Sequence, residues 1–212
     1  MNVTGRLTSL NVAAPRKIER GGELVLTAIW KQPITGAVAV HGVNIDGDDQ
    51  ADRAVHGGTD KAVYAYASED YAWWGKQLDR QLEPGSFGEN LTLRGIDVSG
   101  AVIGERWSIG SVLLEVSEPR FPCWKLSARM EDPRFLKRFA AALRPGAYLR
   151  IIEAGELGSG DAVELVERPG HDVTIRLFAR AYLEDRKLAP RVLAAEALSD
   201  TWREWFSKQL AT

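Results

Sequence analysis

The sequence has little cysteine: one residue, Cys123, in a chain of 212. An intramolecular disulfide is therefore impossible, and so is a zinc site built from cysteine alone. A lone thiol suits a reducing compartment. No apolar stretch approaches the roughly 18 residues of a membrane span. The segment from Met1 to Leu7 has neither the basic nor the long apolar part of a secretory leader. These absences predict a cytoplasmic chain without a membrane partner. An excess of one charge sign is also lacking, with 27 Lys and Arg against 29 Asp and Glu. Stable nucleic-acid binding through a global field is not expected. There is no phosphate-binding Walker loop, no His-Glu-x-x-His and no Gly-x-Ser-x-Gly. Gly158-Ser-Gly160 lacks the third glycine of a dinucleotide fingerprint.

What is present is an ordinary share of apolar residues, 45%, in a chain long enough to bury a sizeable core. Glycine or proline interrupts the first two thirds every 8–15 residues. Between these marks lie short β-type runs over 6–12, 24–30, 62–66, 90–93, 106–109, 111–117, 147–152 and 162–166, a spacing that predicts a barrel or folded sheet. Two helices interrupt them. The first is expected from Ser68, with Glu69 and Asp70 in its first turn, to about Leu82, aligning Tyr71, Trp74 and Leu78. The second starts at Pro133 and aligns Phe135, Phe139 and Leu143. Strand signals end after Arg168-Pro-Gly170. Val173, Leu177 and Ala181 form one helical stripe, Pro190 opens a short helix, and Ser199-Asp200 leads a third that aligns Trp202, Phe206 and Leu210. The expected architecture is mainly β with α: a barrel-like domain over 1–168, then a small three-helix bundle over 169–212. So small a bundle should dock on the barrel or on a second subunit, which makes a homodimer one arrangement the sequence allows.

Three segments carry candidate chemistry. Glu118-Pro-Arg-Phe-Pro-Cys-Trp-Lys-Leu126 sets two prolines around a loop in which Arg120 and Lys125 flank Cys123. Nearby cations favour thiolate, the nucleophilic and metal-binding form. From Arg120 to Arg150 there are eight Lys and Arg and two Asp and Glu. That excess of +6 suggests an anionic ligand near the thiol. The alternative is a small core cysteine beside a solvated cationic face. The second segment, Gln50 to Val63, contains Arg53, His56, Gly57, Gly58 and Lys61. A Gly-Gly turn lets backbone N–H groups approach a bound oxyanion, although the same residues also suit an exposed hairpin loop. Just before it, Asp46, Asp48, Asp49 and Asp52 fail the spacing of a calcium loop and read as a solvated acidic turn. In the third segment, Pro84 to Leu91, Asn90 has an amide to offer a ligand, or simply ends a turn. His41 and His171 are isolated and read as structural or surface residues.

In order, Gly47-Asp-Asp-Gln-Ala-Asp-Arg-Ala-Val-His-Gly-Gly58, Phe87-Gly-Glu-Asn-Leu91 and Pro119-Arg-Phe-Pro-Cys-Trp-Lys-Leu126 resemble the MOSC family, named for the C-terminal part of molybdenum cofactor sulfurase. The likeness is closest to its bacterial YiiM-type branch, in which a three-helix domain follows the MOSC domain. The resemblance implies a MOSC-type β-barrel and binding of the molybdenum cofactor, a pterin dithiolene (molybdopterin) with an anionic phosphate. It implies that Cys123 is the metal's protein ligand and the catalytic residue. It also implies reduction of N-hydroxylated compounds such as hydroxylamino purines. Soft thiolate matches a sulfur-bound metal, and one protein thiolate suffices because the pterin supplies two sulfurs. Arg53, His56, Gly57, Gly58, Lys61, Asn90, Arg120 and Lys125 are the residues expected to hold the cofactor. Electrons would come from a separate reductase, since no flavin or iron–sulfur motif is present. The alternatives are a cofactor or persulfide carrier without turnover and, with less support, a metal-free thiol hydrolase.

Overall fold

The computed structural model describes residues 3–50 and 57–211. In chain order the strands and first helices are β1 (Val3–Val12), β2 (Arg16–Arg20), β3 (Glu23–Thr27), β4 (Gln32–Ile34), β5 (Ala37–His41), β6 (Asn44–Ile45), β7 (Val63–Ala67), α1 (Ser68–Leu78) and β8 (Leu91–Arg94). Then come β9 (Arg106–Ile109), β10 (Val112–Pro119), α2 (Trp124–Met130), α3 (Phe135–Ala142), β11 (Ala147–Glu153), β12 (Gly155–Gly158) and β13 (Ala162–Glu167). The chain finishes with α4 (Ile175–Leu183), α5 (Ala189–Val192) and α6 (Asp200–Lys208).

Seven strands close into a barrel in the order β13-β9-β10-β11-β7-β8-β1, sealed by the pairing of β1 with β13. The expectation of a β-barrel with added helices therefore holds. The pair β7–β8 is parallel, which requires a crossover, and α1 lies within it. Inward residues alternate as the pleat demands: on β9, Trp107 and Ile109 are buried while Arg106 and Ser108 are half-buried. β7 is buried on both faces. Val63, Ala65 and Ala67 fill the barrel, whereas Tyr64 and Tyr66 join Trp74, Phe87, Phe135 and Phe139 in an outer aromatic layer under α1 and α3. Tyr66 stacks on Phe87 with centroids 4.3 Å apart.

α1 ends at Leu78, earlier than expected, because Asp79 turns left-handed at φ 49° and donates its N–H to the Gly75 carbonyl. Ser68 lies inside the helix rather than capping it, and Ala67 occupies the cap position. The Cys123 segment is not wholly loop: the thiol residue caps α2, a helix the sequence pattern does not predict. Strands β2, β4, β5, β6 and β12 are likewise additions to the expected set.

The C-terminal helices share the barrel's core. Phe178 and Ala181 of α4, Val192 of α5 and Phe206 of α6 are fully buried in the same cluster as Leu114 and Val116. Leu177 packs half-buried on the core within the expected stripe, and Phe178 beside it is fully buried and widens that stripe. One expected stripe residue is corrected. Leu210 is 55% exposed, because α6 gives way to a 3-10 turn over Gln209–Ala211 that rotates it off the stripe. Since one cluster spans barrel and helices, Phe178→Ala should cost about 3–5 kcal/mol. Urea unfolding followed by far-UV circular dichroism and by tryptophan fluorescence should show both signals falling in one transition.

Candidate functional site

One end of the barrel opens into a cleft of about 620 Å³, its mouth included, a size suited to a small molecule or cofactor. Its walls come from distant parts of the chain: Thr27 at the end of β3 with Ala28, Ile29 and Lys31 after it, Asp48 to Gln50 after β6, Lys61 and Ala62 before β7, Tyr64 on β7, Gly88 and Asn90 before β8, Arg120, Cys123 and Lys125 after β10, and Tyr148 on β11.

The cationic wall is buried. Arg120 and Lys125 are 5% and 7% exposed. An Arg120 N–H faces the Cys123 sulfur at 3.8 Å, and another donates to the Phe121 carbonyl at 3.3 Å. Burial works against the guanidinium charge, but Cys123, Tyr64 and Tyr148 outweigh it, so Arg120 is held above its usual range. The guanidinium is thus placed to balance a thiolate and to meet an anion in the cleft. Burial drives the Tyr148 hydroxyl up to about 12 and Tyr64 well above the phenol range, which keeps both neutral.

Two buried carboxylates brace the other cations. Glu118, at the end of β10, faces Lys61 Nζ at 3.6 Å. Burial raises its carboxyl above the usual range, with Lys61 and the Trp202 N–H pulling the other way. Asp48 pairs with the Lys31 ammonium and accepts the Asn90 amide at 2.9 Å. Burial outweighs Asp48 and lowers Lys31. Asp48 is therefore no part of a solvated acidic turn: its side chain is 4% exposed and faces the cleft. Asp46 does match that reading, exposed beside His41.

The Pro84–Leu91 segment is shaped by Glu89, which is fully buried. Its carboxylate accepts the N–H groups of Gly85 at 2.8 Å and Phe87 at 3.2 Å, the Thr92 hydroxyl at 2.7 Å and the Tyr71 hydroxyl. This fixes the turn that presents Gly88 and Asn90. Asn90 does not offer a spare amide: it donates to Asp48 and to the Asn11 carbonyl and accepts the Tyr64 N–H at 3.1 Å.

Of the residues singled out in the sequence, Lys61, Asn90, Arg120, Cys123 and Lys125 line this one cleft. Arg53 and His56 lie outside the described residues. Gly57 and Gly58 do not line it; Gly58 takes φ 93° and gives its N–H to the Gln50 side chain at 3.2 Å, and Gln50 does line it. The +6 excess over Arg120–Arg150 is only partly a ligand signal. Arg134 and Arg138 pair with Asp132, Arg144 with Asp70, and Arg150 with Asp60 and Glu115; of the eight cations, Arg120 and Lys125 line the cleft. Lys31, Tyr64 and Tyr148 escape sequence reasoning, because nothing local separates a lysine or tyrosine facing a cleft from one on a surface.

The MOSC domain model matches residues 52–164. The chain is also 34% identical over 204 residues to YflK of Bacillus subtilis (strain 168), covering 95% of this chain and 92% of that one. The chain belongs to the MOSC family. A protein named Reductase from Gibberella moniliformis is 37% identical over 171 residues, 78% of this chain but 30% of that longer protein. The crystal structure of YiiM from Geobacillus stearothermophilus superposes with a TM-score of 0.80 at 31% identity, covering 97% of this chain and 99% of that one. This MOSC chain is therefore of the YiiM type, and its barrel and C-terminal helices have a solved counterpart. No helix among the described residues is long and apolar enough to cross a membrane.

The Glu118–Lys61 pair gives the MOSC cleft a pH response. Protonating Glu118, which occurs above the usual carboxylate range, removes a negative charge beside Lys61. An anion in the cleft should then bind more tightly as pH falls from 7 towards 5. Isothermal titration with sulfate should show this trend in the native chain, and Glu118→Gln should flatten it.

Proposed function

We propose that this MOSC protein binds the molybdenum cofactor in the barrel cleft and reduces N-hydroxylated compounds, hydroxylamino purines among them. The observation that carries this reading is the Cys123 thiol, 3.8 Å from a buried guanidinium, on a cleft wall that also holds Lys61 and Lys125. A soft donor and several cations in one cleft suit a sulfur-bound metal on an anionic pterin. Among the described residues no three His, Cys, Asp or Glu side chains group to hold a metal. A metal at Cys123 would therefore draw its other donors from a cofactor, as the two pterin sulfurs would allow. The name of the Gibberella relative supports a redox role.

Cys123 is assigned as the metal's protein ligand. Arg120, Lys61 and Lys125 hold the cofactor's negative charge, and Asn90 fixes the wall by tying Asp48 to Tyr64. Arg53, His56, Gly57 and Gly58 are assigned to the phosphate end on the same reading, and Gly58 is tied to the cleft residue Gln50 by its N–H. When bound, the cofactor supplies the two-electron chemistry. Two electrons and two protons convert the N–OH group to N–H and water. A separate reductase delivers the electrons, and the single thiol is consistent with work in the cytoplasm. Residues 1–168 form the cofactor domain and residues 169–212 support it.

The direct test is molybdenum per chain, for protein made in a host that builds the cofactor, followed by anaerobic reduction of an N-hydroxy substrate. Cys123→Ser should leave the melting temperature nearly unchanged and abolish molybdenum retention and turnover. Arg120→Ala removes charge-assisted bonds of about 1.5–3 kcal/mol, so cofactor affinity should fall about tenfold or more. A native chain that carries no molybdenum, or wild-type turnover in the Cys123→Ser variant, overturns the assignment.

A further inference from the structure

We propose that the C-terminal helices set the geometry of the cleft, with Phe121 and Trp202 as the positioning residues that transmit it. The inference rests on the cofactor reading only for what the cleft binds; the geometry stands without it.

Phe121 lies between Arg120 and the Cys123 turn, and its ring points away from the cleft. It packs against three aromatic rings of the C-terminal helices, with centroids 4.5 Å from Tyr182, 5.4 Å from Trp202 and 6.0 Å from Phe178. The caging rings are themselves fixed, since Phe178 and Tyr182 stand 5.0 and 5.1 Å from Trp202 in edge-on contact. Such pairs favour a defined geometry beyond the area they bury. The Phe121 carbonyl in turn accepts the Arg120 N–H. One anchored ring thus fixes the backbone from which both the thiol and its guanidinium project.

A second tie runs from Trp202. Its indole N–H donates to Glu118 Oε2 at 3.0 Å, while Glu118 Oε1 faces Lys61. A third comes from the chain before α6: the Ala197 carbonyl accepts an Arg150 N–H at 2.9 Å, and Arg150 Nε donates to Asp60, the neighbour of Lys61, at 2.6 Å. The helices therefore hold the thiol side and the Lys61 side of the cleft at once. Their removal would loosen both walls, though α4, α5 and α6 contribute no residue to the cleft lining.

The test uses the full chain. Because Cys123 is the sole cysteine, the iodoacetamide alkylation rate reads the thiol's setting without ambiguity. Phe121→Ala should change that rate by about fivefold or more, and Phe121→Leu, which keeps an apolar anchor, should return it towards the native value. Val192→Ala, buried in α5, which contributes no ring to the cage, serves as the control for lost stability. If it shifts the rate as much as Phe121→Ala at a comparable loss of melting temperature, the cage is packing alone and the proposal falls. Trp202→Phe keeps a ring in the cage and removes the N–H that favours ionised Glu118. The pH below which sulfate binding strengthens should rise by about 0.5–1 unit, and an unmoved profile would overturn the Trp202 tie. Molybdenum per chain is measured in parallel. If the native chain holds none, the cofactor reading fails while the alkylation and sulfate results still decide this one.

Discussion

An ammonium or carboxylate taken out of water costs several kcal/mol unless a partner and hydrogen bonds replace the solvent, and the open end of this barrel is organised around meeting that cost. Lys31 is buried with Asp48, Glu118 with Lys61 and the Trp202 N–H, and Arg120 with the Cys123 sulfur. The Lys31–Asp48 and Lys61–Glu118 pairs each join segments far apart in sequence. The pairs therefore fix loops as well as charges, and the cleft keeps its shape because loosening a wall would strand a buried ion. Glu89 does the same for the turn before β8 by gathering donors from four residues.

Much of this is legible where the physics is local. β9 is bounded correctly from the sequence because Arg-Trp-Ser-Ile alternates cleanly, and β10 nearly so because β-branched and apolar residues crowd between Gly110 and Pro119. β2 is not legible: Arg16–Arg20 is four-fifths charged, and a hairpin outside the barrel needs no apolar face. β12 is hidden by its glycines and β4 by Pro33, residues that argue against strands in general. α2 is masked by Pro122, which reads as part of a rigid loop although the helix begins two residues later.

The site shows the same division. Cys123, Arg120 and Lys125 share one short segment and can be grouped by eye, and Lys61 and Asn90 belong to motifs. Lys31 and Asp48 meet only because β1, β3 and the turn after β6 converge, as when Asp48 accepts the Ala13 N–H at 2.9 Å. Acidic spacing alone looks the same whether water or an ammonium faces it. Likewise the stripe on α4 is too narrow in the sequence pattern: Ala181 is buried and Leu177 packs on the core as it expects, but the fully buried Phe178 beside them is missed.

The seam between β1 and β13 joins Val3 to Glu164 and Arg6 to Ala162. At ribosomal speeds of about 5–20 residues per second, the first strand is made roughly 8–30 s before the last. Until then β1 can settle against β8, its other neighbour in the barrel, and against β4, but the barrel stays an open sheet with a bare edge. Ring closure is non-local by construction, a topology that folds slowly. The helices that cover the Cys123 segment are translated later still. The nascent chain thus passes through an interval in which its one thiol has been made and the rings that anchor the neighbouring Phe121 have not, so Cys123 is presented before its setting is fixed.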